Sequence, residues 1–540
     1  MRTRRTILGL GIIFAGTSCL AMACGSSSFS GDDGLGNGSG DGGPGSVVDP
    51  NCDITQLPSQ NACVVEEQAG VFVAGPGNGG SDTGIADGTR AHPYATIQKG
   101  ITTAKDQKKR VYVCLGDYAE QITLADGVSI FGNLDCTQSW KVSPTLHAAV
   151  KAGNSPAATA NQIQTATRIE GLDVIAAAGS ATSKSSIGLV ATSSPGLTFA
   201  NATIESGNGF DGVDGIEGIQ LTQTTDGNGG GSGSGGVQED PNVLPHTDIQ
   251  SCPGFTRVGQ FQSCAPNPAP GGTTSCVGPA DAGAATFQPG AGGAGGAGAI
   301  CTMQDTCSQH IGTFNVVTAC CTGTPGLGSA GTGVAPTAGT NGQNGVAKLS
   351  ATGYLVGDGL SGTSGAPGQG GMGGAGINPF FVDGSSHQAG GFVGQGVGGA
   401  GGGSGGCPGL AGTFGSGGGA SIAIITDSVF TLDTCVVRSG NGGKAGQGTF
   451  GSSPTSGGSA GTIIPTSGPA SAGTAGSASG WSGNGSAGPS FGIAAHGSLP
   501  TLKSTVPQVG NGGKGILVRT QNSKTIPATP DGASAATFTF

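Results

Sequence analysis

Between Gly88 and Phe131 the apolar positions change their period, from a helical spacing to the alternation of strands. Ile97, Ile101 and Ala104 fall on one face after His92, Pro93, Tyr94, Ala95 and Thr96, so this stretch predicts one short amphipathic helix. A basic cluster, Lys108, Lys109 and Arg110, then leads into the apolar run Val111 to Cys114. The turn Gly116-Asp117 follows, then Ile122 and Leu124 alternating with polar residues, the turn Asp126-Gly127, and Val128 to Phe131. Runs this short, bounded by Gly and Asp, predict short strands.

The same alternation returns later as an internal repeat. Ser186 to Gly209 reads SIGLVATSSPGLTFANATIESGNG and Ser421 to Gly442 reads SIAIITDSVFTLDTCVVRSGNG. Apolar pairs, a turn, an alternating strand and a closing Ser-Gly-Asn-Gly match once a short gap is allowed. A more worn copy runs from Ser490 through Ile493, Leu499, Leu502 and Val506, and its end, Gly510-Asn511-Gly512-Gly513-Lys514, repeats Gly440 to Lys444. Ile169 to Ile175 and Ile516 to Val518 extend the pattern. Repetition at this length predicts stacked units, each burying its Ile, Leu, Val and Phe against its neighbours.

The stretch from Gly88 to Cys136 resembles the opening of right-handed parallel β-helix proteins of the pectate-lyase-like type. The resemblance is carried by Gly116, Tyr118 and Glu120, followed by Gly127, Val128, Ser129, Ile130 and Gly132. It implies an all-β solenoid whose first coil is covered by the helix, because a solenoid end exposes unpaired backbone and apolar interior. Enzymes of this type carry calcium-binding carboxylates with a basic residue, or paired aspartates, on one parallel sheet. Here the adjacent pair Asp32-Asp33 falls in a polar leader, and Asp433 and Arg438 read as solvated positions flanking one strand. A polysaccharide lyase or glycoside hydrolase is therefore the alternative reading, and a non-enzymatic protein the main one.

Long glycine-rich excursions separate the repeats: 226–236, 290–298, 326–345, 357–376, 390–409 and 451–488. A solenoid tolerates insertions at its corners because each coil touches only its neighbours. Segments such as Gly290 to Ala297 leave almost no side chains, so they either pack side by side as polyproline-II-like chains or stay disordered. Disorder is the expected state. Glycine supplies 113 of the 540 residues and charged residues only 10%, which excludes ordinary globular packing throughout. The net charge of -10, with no basic cluster interleaved with aromatics, argues against a nucleic-acid partner.

The chain begins Met1-Arg2-Thr3-Arg4-Arg5 and continues with an apolar run from Ile7 to Ala15, the pattern of an export signal. Ala21-Met22-Ala23 before Cys24 resembles a bacterial lipobox, which implies cleavage there, acylation of Cys24, and an outer-membrane or cell-surface location. Cys19 is the weaker rival. The predicted layout is a signal over 1–23, a Gly/Ser/Asp tether over 24–50, and a lead with capping helix over 51–110. Coils follow over 111–225, then a Cys- and Gly-rich insertion over 226–410 and further coils over 411–540.

Fifteen cysteines in an exported chain read as disulfides. Cys114 and Cys136, 22 residues apart, suit a stitch between adjacent coils, and Cys52 with Cys63 suits a small loop. Cys252, Cys264, Cys276, Cys301, Cys307, Cys320 and Cys321 form a group whose connectivity is open, while Cys407 and Cys435 have no assigned partner. That group lacks zinc spacing. The run from Phe210 to Gly218 repeats apolar, acidic, Gly, so a three-fold extended chain places Asp211, Asp214 and Glu217 in one row, a candidate calcium site against the simpler reading of solvated turns. Gly402 to Gly406 meets the G-x-S-x-G pattern only because glycine surrounds Ser404. No catalytic residue and no cofactor are predicted. The expected function is a structural or adhesive cell-surface lipoprotein, its partners a membrane through the lipid and a surface polysaccharide or envelope protein.

Overall fold

The computed structural model describes residues 52–223, 269–279, 288–297, 326–376, 399–461 and 469–540. The signal, Cys24, the tether and Cys252, Cys264, Cys301, Cys307, Cys320 and Cys321 lie outside the described residues.

The helix predicted from Ile97, Ile101 and Ala104 spans Ile97–Gln107 and buries those three residues with Gly100. Thr96 caps it by accepting from the Lys99 amide, and the Glu120 carboxylate accepts from the Ile97 and Gln98 amides at 2.7 and 2.9 Å. These two side chains satisfy donors that the helix itself leaves open. Burial pushes the Glu120 carboxyl above its ordinary range, and the two amide bonds pull the other way. The helix lies on strands Gly70–Val73 and Arg110–Cys114. Gly100 permits the close approach, since a Cβ there would stand 2.4 Å from Val73 Cγ2.

The remainder is β-rich, with three sheets in which nearly all pairs are parallel. The first runs Gly70–Val73, Arg110–Cys114, Ile130–Asp135, Thr167–Glu170, Leu197–Ala200, Thr431–Asp433, Thr501–Lys503. The second holds Asp117–Tyr118, Ala148–Ala152, Leu172–Ala176, Thr203–Ser206 and Val436–Ser439. The third holds Ile122–Leu124, Ala158–Asn161, Ser186–Thr192, Ser421–Thr426, Ser490–Ala495 and Ser534–Thr539. From Ile130 onward the chain visits first, second and third sheet in turn, so strands adjacent in a sheet come from successive circuits. Inward residues fill one core with Val150, Val174, Leu189, Ile204, Phe199, Ile424, Leu432 and Val437.

The internal repeats are the register of the third sheet. Ser186 pairs with Ser421, Ser421 with Ser490, and Ser490 with Ser534, with Ile187, Ile422, Phe491 and Ala535 one step on. Ile169 to Ile175 falls on two strands as expected. Ile516 to Val518 does not: it joins none of the three sheets, and Leu517 and Val518 are exposed. Its Ile-Leu-Val run has the composition of a strand without a neighbouring circuit to bury it. Cys114 and Cys136 form the predicted disulfide.

The long excursions leave and return at one corner, between the second and third sheets. One departs after Ser206 and re-enters at Ser421, outside the 226–410 span read from composition; the next runs from Ser439 to Ser490. A third follows the bridge at Gln508 and re-enters at Ser534. Where described, they are ordered extended chains, correcting the expectation of disorder. Every third residue donates to a neighbouring chain: Gly209, Gly212 and Gly215 amides reach the carbonyls of Asn441, Lys444 and Gln447 at 2.7–2.8 Å. The hydrogen bonds follow the three-residue period of polyproline II. Glycine is required because the chains meet backbone to backbone: a Cβ on Gly212 would lie 2.2 Å from Ser416 O, and one on Gly446 2.1 Å from Val213 O.

Candidate functional site: the bundle of extended chains

The outgoing chain 207–221 lies parallel to 440–453 and antiparallel to 410–419, and the same arrangement recurs through the rest of the bundle. Chain 359–374 runs antiparallel to 400–415, with Gly365, Gly368 and Gly371 amides on the carbonyls of Gly409, Gly406 and Gly403 at 2.7–2.9 Å. Gly339, Gly342 and Gly345 donate to Ala478, Trp481 and Asn484 at 2.6–2.8 Å. A three-fold chain has three faces, so inner chains spend their glycines on neighbours while outer chains point side chains outward. Val213, Ile216, Leu327, Val346 and Leu360 are more than half exposed.

The base of each excursion is closed by a serine. Ser421 Oγ donates to Gly207 O at 2.7 Å, Ser490 Oγ to Gly440 O at 2.7 Å, and Ser534 Oγ to Gly510 O at 2.7 Å. Each bond joins the first residue of the returning strand to the point where the chain left. Ser421 and Ser490 are fully buried. Replacing the fully buried Ser421 by alanine removes the donor from the half-buried Gly207 carbonyl and should cost about 1–2 kcal/mol. Thermal melts of Ser421→Ala and the exposed-site Ser534→Ala check this, the first falling clearly further; equal losses count against the clasp.

Asp211 and Asp214 stand in the row foreseen from the triplet, yet they serve the backbone. Asn208, Asp211, Asp214 and Gln220 accept from the amides of Asn441, Lys444, Gln447 and Ser453 at 2.8, 2.9, 2.7 and 3.2 Å. Asn441 in turn accepts from the Asn511 amide at 2.8 Å. Glu217 is exposed, and among the described residues no group of three or more His, Cys, Asp or Glu could hold a metal ion. Residues three apart in such a chain are about 9 Å apart, too far for shared ligation. Asp211 and Asp214 of the candidate calcium row thus belong to a hydrogen-bonding ladder between chains.

Cys276 pairs with Cys407, a link that spacing could not assign. Cys52 and Cys63 are each disulfide-bonded. Cys435 is a buried free thiol, its pKa pushed up to about 11 by burial. Ser404, centre of the G-x-S-x-G match, is fully buried in an extended chain, and the described residues 399–420 around it contain neither strand nor helix. Asp433 and Arg438 are not paired; Arg438 faces Glu205 at 3.6 Å and Gln508 at 3.2 Å. His147 is held between Asp173 at 3.0 Å and Asn201 at 3.1 Å. No helix among the described residues is long and apolar enough to cross a membrane.

Sequence reasoning missed the serine clasp, although Ser186, Ser421 and Ser490 open every copy of the repeat. It also missed the hairpin Arg519–Gln521 and Lys524–Ile526, which lies against the bundle and buries Ile526 with Phe450 and Trp481. No protein-family model, no curated protein and no solved structure matches this chain.

Proposed function

We propose that the protein is a non-enzymatic cell-surface lipoprotein, anchored through Cys24, in which a right-handed parallel β-helix of the pectate-lyase-like type carries a rigid bundle for adhesive or envelope contact. The observation that carries this reading is the repeated departure and return of the chain at one corner, after Ser206, Ser439 and Gln508. Three excursions at one place set many extended chains side by side, held by amide–carbonyl bonds, so that side chains are left for the outside. Rows of exposed aliphatic residues such as Val213 and Ile216 suit contact with another surface. The tether over 24–50 would give the anchored body reach.

The test is binding of the full chain without its signal to cell envelopes and extracted surface polysaccharides, followed by analysis of the glycan. Saturable binding with unchanged glycan length and no new reducing or unsaturated ends is expected. Release of such ends assigns an enzyme instead, and absence of binding removes the adhesive reading. In the parent cells, Cys24→Ala should abolish incorporation of labelled fatty acid.

A further inference from the structure

Among the described residues, two half-buried cations rest on the bundle without an ion pair, and both belong to one hairpin. Arg519–Gln521 pairs antiparallel with Lys524–Ile526 through a turn in which Asn522 and Ser523 take φ of 49° and 63°, the left-handed values of a tight hairpin turn. Ile526 is fully buried. The Arg519 guanidinium donates to Gly448 O and lies 5.5 Å over the Phe450 ring, and Lys524 Nζ donates to Ser479 O at 2.5 Å. Elsewhere on the bundle Lys184, Lys444 and Lys514 each face an aspartate. Asp214 and Glu217 act on Arg519 only at longer range, raising a pKa that burial lowers.

Between the hairpin tip and the bundle is a cavity of about 120 Å³. Phe450, Pro454 and Ala478 are its apolar lining, and Ser453, Gln521, Asn522 and Lys524 its polar lining. An ammonium has three N–H donors, and Ser479 takes one, leaving two. The side-chain amides of Gln521 and Asn522 make no hydrogen bond among the described residues. The cavity therefore offers a cation, two unused amides and an apolar wall, with no carboxylate to repel an anion.

We propose that this cavity binds one carboxylated sugar unit, the end group of an acidic glycan. Lys524 meets the carboxylate, Gln521 and Asn522 meet ring hydroxyls, and the C–H face of the ring lies on Phe450 and Pro454. The volume suits a single ring partly open to solvent and not a run of sugars. A simple inorganic anion would leave the apolar wall unused, and a neutral sugar would leave the ammonium unpaired. The inference rests on the surface-contact reading and gives it a ligand class.

Titration calorimetry on the full chain, with the methyl glycosides of glucuronic acid, N-acetylneuraminic acid and glucose, tests it. At least one carboxylated glycoside should bind about ten-fold more tightly than methyl glucoside, and which one does so names the sugar. Lys524→Gln should weaken that binding about ten-fold. Ala478→Phe, which fills the cavity and keeps every charge, should abolish it at an unchanged melting temperature. Equal binding of methyl glucoside, or full binding by a folded Ala478→Phe variant, overturns the proposal. Envelope binding measured in parallel separates the two readings: envelope binding without any carboxylated-sugar binding overturns the cavity alone, and sugar binding without envelope binding overturns the broader reading alone.

Discussion

Replacing Gly443 by alanine should destabilise the protein by about 3 kcal/mol, whereas the same change at Gly153 should cost under about 1 kcal/mol. Gly443 sits where several extended chains meet. Its amide donates to Gly419 O at 2.8 Å and its carbonyl accepts from Gly488 N at 2.8 Å. A Cβ there would stand 2.0 Å from Phe210 O and 2.6 Å from Phe210 C. Both obstacles are backbone, so no side-chain rotation relieves them, and the chains must part or the hydrogen bonds must lengthen. Gly153, in contrast, has nothing within 4 Å of the position a Cβ would take. Calorimetric melts of the two variants beside the parent decide the matter. If Gly443→Ala melts with the parent, the backbone-to-backbone packing described for this chain is wrong at its centre.

What was legible in the sequence depended on side chains repeating in space as they repeat along the chain. Ser186, Ser421 and Ser490 align because the inward residues Leu189, Ile424 and Ile493 follow each of them at the same distance, and the serines occupy one column of the third sheet. The helix over 97–107 was equally clear, since its buried face needs apolar residues at helical spacing. The triplets from Phe210 to Gly218 revealed an extended chain and set Asp211 and Asp214 in one row, where each accepts from an amide of the next chain. A carboxylate that looks free to bind a metal also answers an unpaired amide on the next chain, and the sequence does not say which chain is next.

The excursions were misread for a related reason. Glycine carries no side chain with which to mark a partner, and the paired chains are far apart in sequence: Gly209 meets Asn441, and Gly339 meets Ala478. Composition alone makes such segments look incapable of order, because they bury little apolar area. The structure supplies order through amide–carbonyl bonds at every third residue, which a count of hydrophobic residues does not register. Ile516 to Val518 shows the converse. Its apolar run imitates a strand, but no circuit lies beside it, and it becomes an exposed edge of the bundle.

Removing the Cys276–Cys407 disulfide as a double alanine variant should cost about 3 kcal/mol. The bond joins residues 131 apart in sequence and is fully buried beside Leu221. Cys276–Val277 pairs antiparallel with Thr222–Gln223, while Cys407 accepts from the Thr455 amide at 3.0 Å and donates its own amide to Thr455 Oγ1 at 2.7 Å. One sulfur bridge therefore fastens the Cys276 segment, which pairs with the end of the outgoing chain, to the chain that holds Cys407. Cutting it enlarges the set of unfolded conformations and, in the folded state, leaves Leu221 with fewer apolar neighbours. Hydrogen exchange should report the loss locally: amides of Leu221, Thr222 and Gln223 should exchange faster, while those of Ile422 and Ile424, deep in the third sheet, should keep their protection. Uniform acceleration across both sets would mean that bundle and sheets unfold as one cooperative unit. Unchanged exchange at Leu221 would mean that backbone hydrogen bonds alone hold the outgoing chain, and that the disulfide is not what fixes its end.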